Sequence, residues 1–247
     1  MDEAFVLKRM RFRETSLLVT LFAREAGKIK VLAKGVRKPP KAATGSFEPL
    51  TRLSVVYYEK LKSEIHLLSK ADVLESNAPI RSQLGRFSYA SYLAELVDAL
   101  MVSTDPHPEV FDLLRDALGY FQIASPARVA HVFEVKLLDM IGWLPEFKQC
   151  ASCGTQELAR YYFSSKQGGV LCPNCDRTES KATPISNETV DTFLFFLASS
   201  FDQAIQLVPG LKTLRELERV MEQFLHFRLE HYLLSRRFLS EVRPVLK

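Results

Sequence analysis

The chain has 247 residues, of which 47% are hydrophobic and 25% charged, and its formal net charge is +4. This balance is typical of a soluble globular protein with one large domain or two small ones. The longest strongly apolar stretch, residues 193–198, is far too short to span a bilayer, and the acidic N-terminus lacks a signal-peptide layout. We therefore expect a cytoplasmic protein without a membrane partner.

The first 75 or so residues have the pattern of β-structure. Short runs rich in β-forming residues predict five strands, at residues 5–10, 17–22, 28–34, 53–58 and 65–73. In the third run, Lys28, Lys30 and Lys34 share one face. A basic loop follows, and its prolines, Pro39 and Pro40, exclude sheet pairing. Five short strands with one long basic connection predict a small barrel such as an OB-fold.

From about residue 80 the apolar residues recur with a helical period. These stripes predict helices at residues 84–101, 108–119, 126–143 and 189–199. A capping box formed by Thr213 and Glu216 predicts the start of a long helix that reaches about residue 238.

The four cysteines form two C-x2-C pairs separated by eighteen residues: Cys150, Cys153, Cys172 and Cys175. Each pair can wrap two sulfurs around one ion, so the two pairs complete the tetrahedron of a structural Zn2+ site. Two disulfides are an alternative, although nothing else indicates an oxidising compartment. A redox or iron–sulfur role is another, since a single C-x2-C pair can be redox-active.

The segment between the cysteine pairs predicts a zinc ribbon. Residues 160–163 and 170–171 predict two short strands joined by a turn at Gly168-Gly169. A ribbon of this size has little core, so metal binding would supply much of its folding energy. The whole pattern predicts an α+β protein. A five-stranded OB-fold barrel over residues 1–80 precedes an α-helical bundle over 81–247, with a four-cysteine zinc finger inserted at 148–178.

Positive charge is concentrated in the predicted barrel. Residues 1–80 contain 15 Lys and Arg against 9 Asp and Glu, whereas residues 81–247 contain 18 against 20. Because Lys and Arg neutralise phosphates, we interpret this excess as a surface for nucleic acid. The candidate DNA-binding residues are Lys8, Arg9, Arg11, Arg13, Lys28, Lys30, Lys34, Arg37, Lys38 and Lys41. The alternative is that these side chains only cover a solvated face.

Aromatic residues lie among these basic residues, and exposed aromatic rings can stack on unpaired bases. However, we expect most of the phenylalanines Phe12, Phe22 and Phe47 to fill the barrel interior instead. Tyr57 and Tyr58 are adjacent on one predicted strand, so one of the two should face outward.

The sequence carries no Gly-rich phosphate loop, no G-x-S-x-G elbow and no H-E-x-x-H pair. His131 and Glu134 could share a metal, although a hydrogen bond explains their spacing more simply. Four thiolates would close a zinc site, which argues against a zinc-assisted hydrolase. We expect a binding protein and not an enzyme. The rival hypothesis is an interaction adaptor, in which the zinc ribbon and helices dock a protein and the barrel has no DNA role.

Some segments of the chain follow one another in a recognisable order and spacing: residues 27–38, Glu48-Pro49-Leu50, residues 89–96, residues 133–138, Gly142, Pro145, residues 150–154 and residues 168–175. Taken together, these segments resemble the RecO family of bacterial recombination mediators, and the resemblance covers nearly the whole length.

This resemblance implies an N-terminal OB-fold and a helical C-terminal domain that contains the zinc finger. It implies binding of single- and double-stranded DNA, annealing of complementary strands, and help in loading a recombinase at the nucleoid. The partners it implies are RecR and the single-stranded-DNA-binding protein. It implies no nucleotide cofactor. Since some members of the family lack the cysteines, the zinc would have a structural role and not a chemical one.

Overall fold

A computed structural model describes residues 1–37, 44–60, 63–177, 182–229 and 233–242. These residues form two compact units. One contains Met1–Gln122 together with the C-terminal segment from Ser235, and the other contains Ile123–Leu234. The first unit thus combines the N-terminal strands with the helices that follow them. The domain boundary predicted at residue 80 stays a prediction.

Five strands of the first unit close into a barrel with the order β1-β2-β3-β5-β4. They are β1 (Asp2–Phe12), β2 (Ser16–Ala23), β3 (Gly27–Ala33), β4 (Arg52–Tyr58) and β5 (Ile65–Glu75). Neighbouring strands are antiparallel except β3 and β5, which run parallel. The five-stranded barrel predicted from the sequence is confirmed.

Strand alternation fills the barrel with apolar side chains. In β3, Ile29, Val31 and Ala33 are buried while the intervening residues are half-buried, as a period of two requires. Phe47, in the 3-10 turn before β4, also lies in this interior. The other buried members of the interior cluster are Ala4, Val6, Leu17, Val19, Leu21, Ala23, Leu53 and Val55.

Helices follow the barrel along the chain. They are α1 (Ala78–Arg81), α2 (Leu84–Leu100), α3 (Pro108–Tyr120), α4 (Pro126–Met140), α5 (Pro173–Asp176), α6 (Asn187–Ala198), α7 (Phe201–Gln206), α8 (Leu211–Leu229) and α9 (Leu234–Val242). The four helices predicted from apolar stripes are confirmed as α2, α3, α4 and α6, with ends shifted by a few residues. No helix in the described parts of the chain is both long and apolar enough to cross a lipid bilayer.

Helix α3 covers part of the outer barrel wall. The ring of Phe111 on α3 lies 4.9 Å from Phe5 and 6.3 Å from Phe22, and all three are fully buried. The prediction that Phe22 fills the barrel interior is therefore wrong. Because Leu21 faces inward, Phe22 must face outward. Phe12 is half-buried outside the interior cluster, beneath the Arg13 guanidinium.

The second unit consists of packed helices and a small sheet. Helix α4 packs on α6, α7 and α8. The sheet has the order β7-β6-β8, with β6 at Tyr161–Ser164, β7 at Gly169–Leu171 and β8 at Thr183–Ile185. The first two strands were predicted from the sequence, and β8 was not. His131 and Glu134 of α4 form a buried hydrogen bond of 2.8 Å, which is the simpler of the two roles expected for them.

The capping box predicted at Thr213 is wrong. Helix α8 already begins at Leu211, so Thr213 is buried within its first turn. Glu216 instead accepts hydrogen bonds from Ser186 and Thr189 at the start of α6. The single long helix is also wrong, because α8 ends at Leu229 and α9 begins at Leu234.

Candidate nucleic-acid interface and metal centre

The four cysteines are brought together by the small sheet of the second unit. Their sulfur atoms all lie within 4.8 Å of one another, and Cys153 Sγ lies 3.9 Å from Cys172 Sγ. Cys150 and Cys172 are buried with Leu171, and this small cluster is the core of the ribbon. The quartet has the geometry to hold a metal ion.

Tight turns place the sulfurs of each pair on one side of the chain. In the first knuckle the Gly154 amide donates to the Cys150 carbonyl at 2.8 Å, and Gly154 has a φ of +75° that favours glycine. In the second, the Asp176 amide donates to the Cys172 carbonyl at 3.0 Å. These turns bring the two sulfurs of each pair together.

Hydrogen bonds and crowding pull the thiol pKa values apart. Burial opposes ionisation of Cys150, but backbone hydrogen bonds from Cys153, Cys172 and Ser152 outweigh it and lower its pKa to about 6. At Cys175, a hydrogen bond with Ser152 favours the thiolate, but the neighbouring sulfurs of Cys172 and Cys153 raise the pKa to about 12. The Cys150 thiol therefore ionises easily, whereas the Cys175 thiol resists ionisation. The positive charge of a bound dication would stabilise the thiolate form of all four cysteines.

The donor set fits zinc. With Zn–S bonds of about 2.3 Å, a tetrahedron places its sulfurs roughly 3.8 Å apart, and Cys153 and Cys172 are already 3.9 Å apart. Four thiolates leave no open position for water or substrate, so such a site would stabilise the ribbon and not activate a ligand.

The structure separates the predicted DNA-binding residues into two sets, and the first set is paired with acidic groups. Lys8 binds the Asp98 carboxylate of α2 at 2.5 Å, and Lys28 lies 3.7 Å from the same carboxylate. Arg9 binds Glu48 at 2.6 Å. Burial lowers the pKa of Lys28, an effect that Asp98 partly offsets. These cations therefore neutralise carboxylates of their own chain.

The second set lies at one end of the barrel, where the β1–β2 turn meets the end of β3. It contains Arg11, Arg13, Lys34 and Arg37, which we call the basic end. The Arg37 amide donates to the Thr15 carbonyl at 3.0 Å, and its guanidinium reaches the Arg13 carbonyl at 3.4 Å. Within the described ranges, no carboxylate forms an ion pair with any of the four.

Lys30 is intermediate between the two sets. Its ammonium lies 3.6 Å from Glu64, whose side chain is 88% exposed, so this pair is weakly held. The predicted contacts Lys38 and Lys41 lie outside the described residues. The acidic partners Asp98 and Glu48 were missed by the sequence reasoning, because each is far along the chain from the cation that it binds.

The structure shows which of the two adjacent tyrosines faces outward. Tyr57 packs against the barrel interior and stacks on His66, with ring centroids 5.5 Å apart. Tyr58 faces outward and is 65% exposed.

Comparison with known proteins supplies the family. A profile described as "Recombination protein O N terminal" matches residues 1–77, and one described as "Recombination protein O C terminal" matches residues 81–237. The chain belongs to the RecO family.

Curated relatives agree with this assignment, and each match covers nearly the whole of both chains. "DNA repair protein RecO" of Moorella thermoacetica is 31% identical over 245 residues, covering 97% of this chain and 90% of the relative. The protein of the same name from Anaeromyxobacter dehalogenans is 32% identical, covering 98% of this chain and 96% of the relative. That of Bacillus pumilus is 28% identical, with 100% and 95% covered. The family resemblance expected from the sequence is confirmed.

Proposed function

We propose that this protein is a DNA-binding recombination mediator that anneals complementary strands without covalent chemistry. The observation that carries the proposal is the basic end: four cations gathered on one barrel end, with no ion pair to a carboxylate of the described chain. Cations already bound to carboxylates would have to lose those partners before binding phosphate. The basic end has no such cost, so it is the first place for a DNA backbone to bind.

Annealing follows from charge neutralisation. Two complementary strands repel each other through their phosphates, and a surface that binds both backbones reduces this repulsion. The contacts would be to phosphates and not to base edges, so binding would not depend on sequence. No nucleotide hydrolysis is needed for a step of this kind.

The remaining parts of the proposal come from family membership. We expect help in recombinase loading, with RecR and the single-stranded-DNA-binding protein as partners, at the nucleoid of the cytoplasm. The cysteine quartet would hold a structural Zn2+ ion and keep the ribbon folded. The proposed DNA-contacting residues are the basic end and Lys30, with Lys38 and Lys41 as further candidates.

A salt titration tests the DNA role. The variant K34A/R37A should bind a single-stranded oligonucleotide more weakly, and its log–log salt slope should be shallower by about 0.7 for each phosphate that the variant no longer neutralises. The matched control is K212A/R215A, which removes two charges from exposed positions on α8. If K34A/R37A and the control bind alike and anneal labelled complementary strands equally fast, the adaptor hypothesis is favoured and the basic end is not the DNA site.

A further inference from the structure

A pocket opens at the mouth of the barrel, at the end opposite the basic end. It lies where β3 and β5 begin and β4 ends, and its volume is about 470 Å3. Barrel mouths are common places for small-molecule sites. We call this cavity the mouth pocket, and its lining residues are Lys28, Ile29, Lys30, Glu59, Lys60, Ser63, Glu64, His66, Ser103 and Thr104.

Two of the lining residues belong to the interior side of the barrel wall. Ile29 is a buried member of the interior cluster. His66 lies on the same face of β5 as Leu68, which packs against that cluster. The His66 side chain stacks on Tyr57, and the residue is only 6% exposed. The mouth pocket therefore leads into the barrel and is distinct from the outer face of the strands.

The ring of His66 has one donor left for a ligand. The Lys60 amide donates to His66 Nδ1 at 3.3 Å. A backbone amide only donates, so Nδ1 accepts, and the hydrogen of the neutral ring is on Nε2. Within the described ranges, no protein group accepts a hydrogen bond from Nε2. Because a polar group of a buried side chain normally has a partner, this N–H indicates a bound acceptor.

The lining carries more positive than negative charge. Three ammonium groups oppose two carboxylates, which are those of the exposed residues Glu59 and Glu64. Lys28 is already paired within the chain, and Lys30 is held by Glu64 at 3.6 Å. No carboxylate in the described parts of the chain forms an ion pair with Lys60. An ammonium and an imidazole N–H together form a donor pair that suits an anionic oxygen.

A strained turn between α2 and α3 forms another wall of the mouth pocket. Thr104 has a φ of +58°, which is unusual for a β-branched residue. Its amide donates to the Lys28 carbonyl at 3.0 Å, and its hydroxyl donates to the Ser103 carbonyl at 2.7 Å. These bonds hold the turn against the start of β3. Backbone strain of this kind is concentrated where a chain holds a ligand.

We infer that the mouth pocket binds a phosphate monoester, with His66 Nε2–H and the Lys60 ammonium as its donors. A monoester carries close to two negative charges at neutral pH, whereas each phosphodiester within a strand carries one. The pocket therefore favours a terminal phosphate over the phosphates that the basic end would bind. The monoester can belong to a free nucleotide or to the 5′ end of a DNA strand. The inference goes beyond the proposed function and does not depend on it.

The test uses probes that differ only in a terminal phosphate. Calorimetry should show that wild-type protein binds thymidine 5′-monophosphate about tenfold or more tightly than thymidine. A strand of about twelve nucleotides, with a 5′-phosphate or a 5′-hydroxyl, distinguishes the two sources. Binding of the mononucleotide assigns the pocket to a free nucleotide. A preference for the phosphorylated strand, without binding of the mononucleotide, assigns it to a strand end.

Two replacements of His66 separate the roles of its ring nitrogens. In H66N the side-chain oxygen can still accept from the Lys60 amide, but no donor replaces Nε2–H. In H66Q the side-chain amide supplies a donor near the position of Nε2. We expect H66N to lose about tenfold in affinity for the probe that carries the monoester, and H66Q to keep most of it. K60A should also weaken binding, whereas K166A, at an exposed position of the second unit, should not.

The outcomes separate this inference from the proposed function. If wild type binds neither phosphate-bearing probe better than its partner, or if H66N and K60A bind like wild type, the site is refuted. Equal losses in H66N and H66Q would show that His66 only supports the fold, which also overturns the inference. The basic end is tested separately with the 5′-hydroxyl strand, whose phosphates are all diesters. On that strand K34A/R37A should lose affinity and H66N should not, and an equal loss in H66N would refute the preference for a monoester.

Discussion

The Asp98 carboxylate of α2 binds the Lys8 ammonium of β1 at 2.5 Å, although ninety residues separate them. The same carboxylate attracts Lys28 of β3, whose ammonium also donates to the Asp98 carbonyl. One acidic residue therefore neutralises two of the ten cations that the sequence assigned to DNA. It also fastens α2 to two strands of the barrel.

Replacing this carboxylate should strengthen DNA binding. In D98N, Lys8 and Lys28 lose their acidic partner while the side-chain volume is kept. Lys8 is 63% exposed and becomes available to phosphates, whereas Lys28 stays bound to the main-chain carbonyl of residue 98. We expect higher affinity and a salt slope that is steeper by about 0.7 for each further phosphate bound on single strands. Fluorescence anisotropy over a range of salt concentrations measures both quantities.

The control for D98N is D116N, which changes the net charge equally at an exposed residue of α3 that binds Arg115. A simple effect of net charge would give the two variants the same affinity. That result would show that Lys8 contacts no DNA even without its carboxylate partner.

Substitutions at Gly27 and Gly35 allow the cost of a steric clash to be measured separately from the cost of backbone strain. Both have φ near +70°. A Cβ atom added at Gly27 would lie 2.2 Å from the Asp105 carbonyl oxygen, whereas a Cβ atom added at Gly35 would have no described atom within 4 Å. We expect G35A to cost about 1 kcal/mol, from the left-handed conformation alone. G27A should cost about 4 kcal/mol, because the segment before α3 must also move. Urea denaturation of both variants measures the difference, and equal costs would contradict the close approach.

Glu216 should make the second unit sensitive to acid. Its carboxylate accepts hydrogen bonds from the Ser186 amide at 2.8 Å, the Ser186 hydroxyl at 2.7 Å and the Thr189 hydroxyl at 2.6 Å. Burial opposes its ionisation, but these bonds outweigh burial and hold its pKa below the ordinary value. A depressed pKa stabilises the fold fully above about pH 4.3, and the stabilisation is lost as pH falls through the lower value of the folded state.

The corresponding variant is E216A, which should cost about 2 kcal/mol at neutral pH because three donors lose a charged acceptor. The difference from wild type should shrink below about pH 4. E222A, on the exposed face of the same helix, is the control and should be nearly neutral. A cost for E216A that does not change with pH would show that the carboxylate is not ionised in the folded protein.

Metal removal should unfold the ribbon. We expect one zinc ion per chain by elemental analysis, and none in C153S or C172S. Chelation should lower the melting temperature and open residues 150–175 to proteases, since the ribbon has only a small core of its own. S152A keeps all four sulfurs and should keep the metal. An unchanged melting temperature after verified removal of the metal would refute the folding role.

Local patterns predicted the barrel and the metal centre well. The alternation of β3 and the two cysteine pairs are short-range features, and both have the geometry that their spacing requires. A β-bulge between Val6 and Lys8 could not be predicted. Continued alternation from Ala4 and Val6 would have turned Lys8 and Met10 inward. The bulge moves both to the outer face of the barrel.

Contacts between residues that lie far apart in the sequence limited the other predictions. Whether a lysine is available to a ligand depends on carboxylates far along the chain, and neither Asp98 nor Glu48 lies near its partner in the sequence. Thr213 and Glu216 have the spacing of a capping box, but Glu216 binds the start of a different helix. The same three-residue spacing thus served a tertiary contact, which periodicity alone does not distinguish from a local cap.

The ring of Phe111 has a consequence for how the protein can be divided. The two family profiles meet between residues 77 and 81, which suggests a natural place to cut. A fragment ending there would lack α3 and would expose Phe5 and Phe22, two bulky rings that are 1% and 0% exposed in the intact chain. Such a truncated barrel should be aggregation-prone and poorly soluble. A fragment that extends to residue 122 would keep α3 and therefore keep these two rings covered.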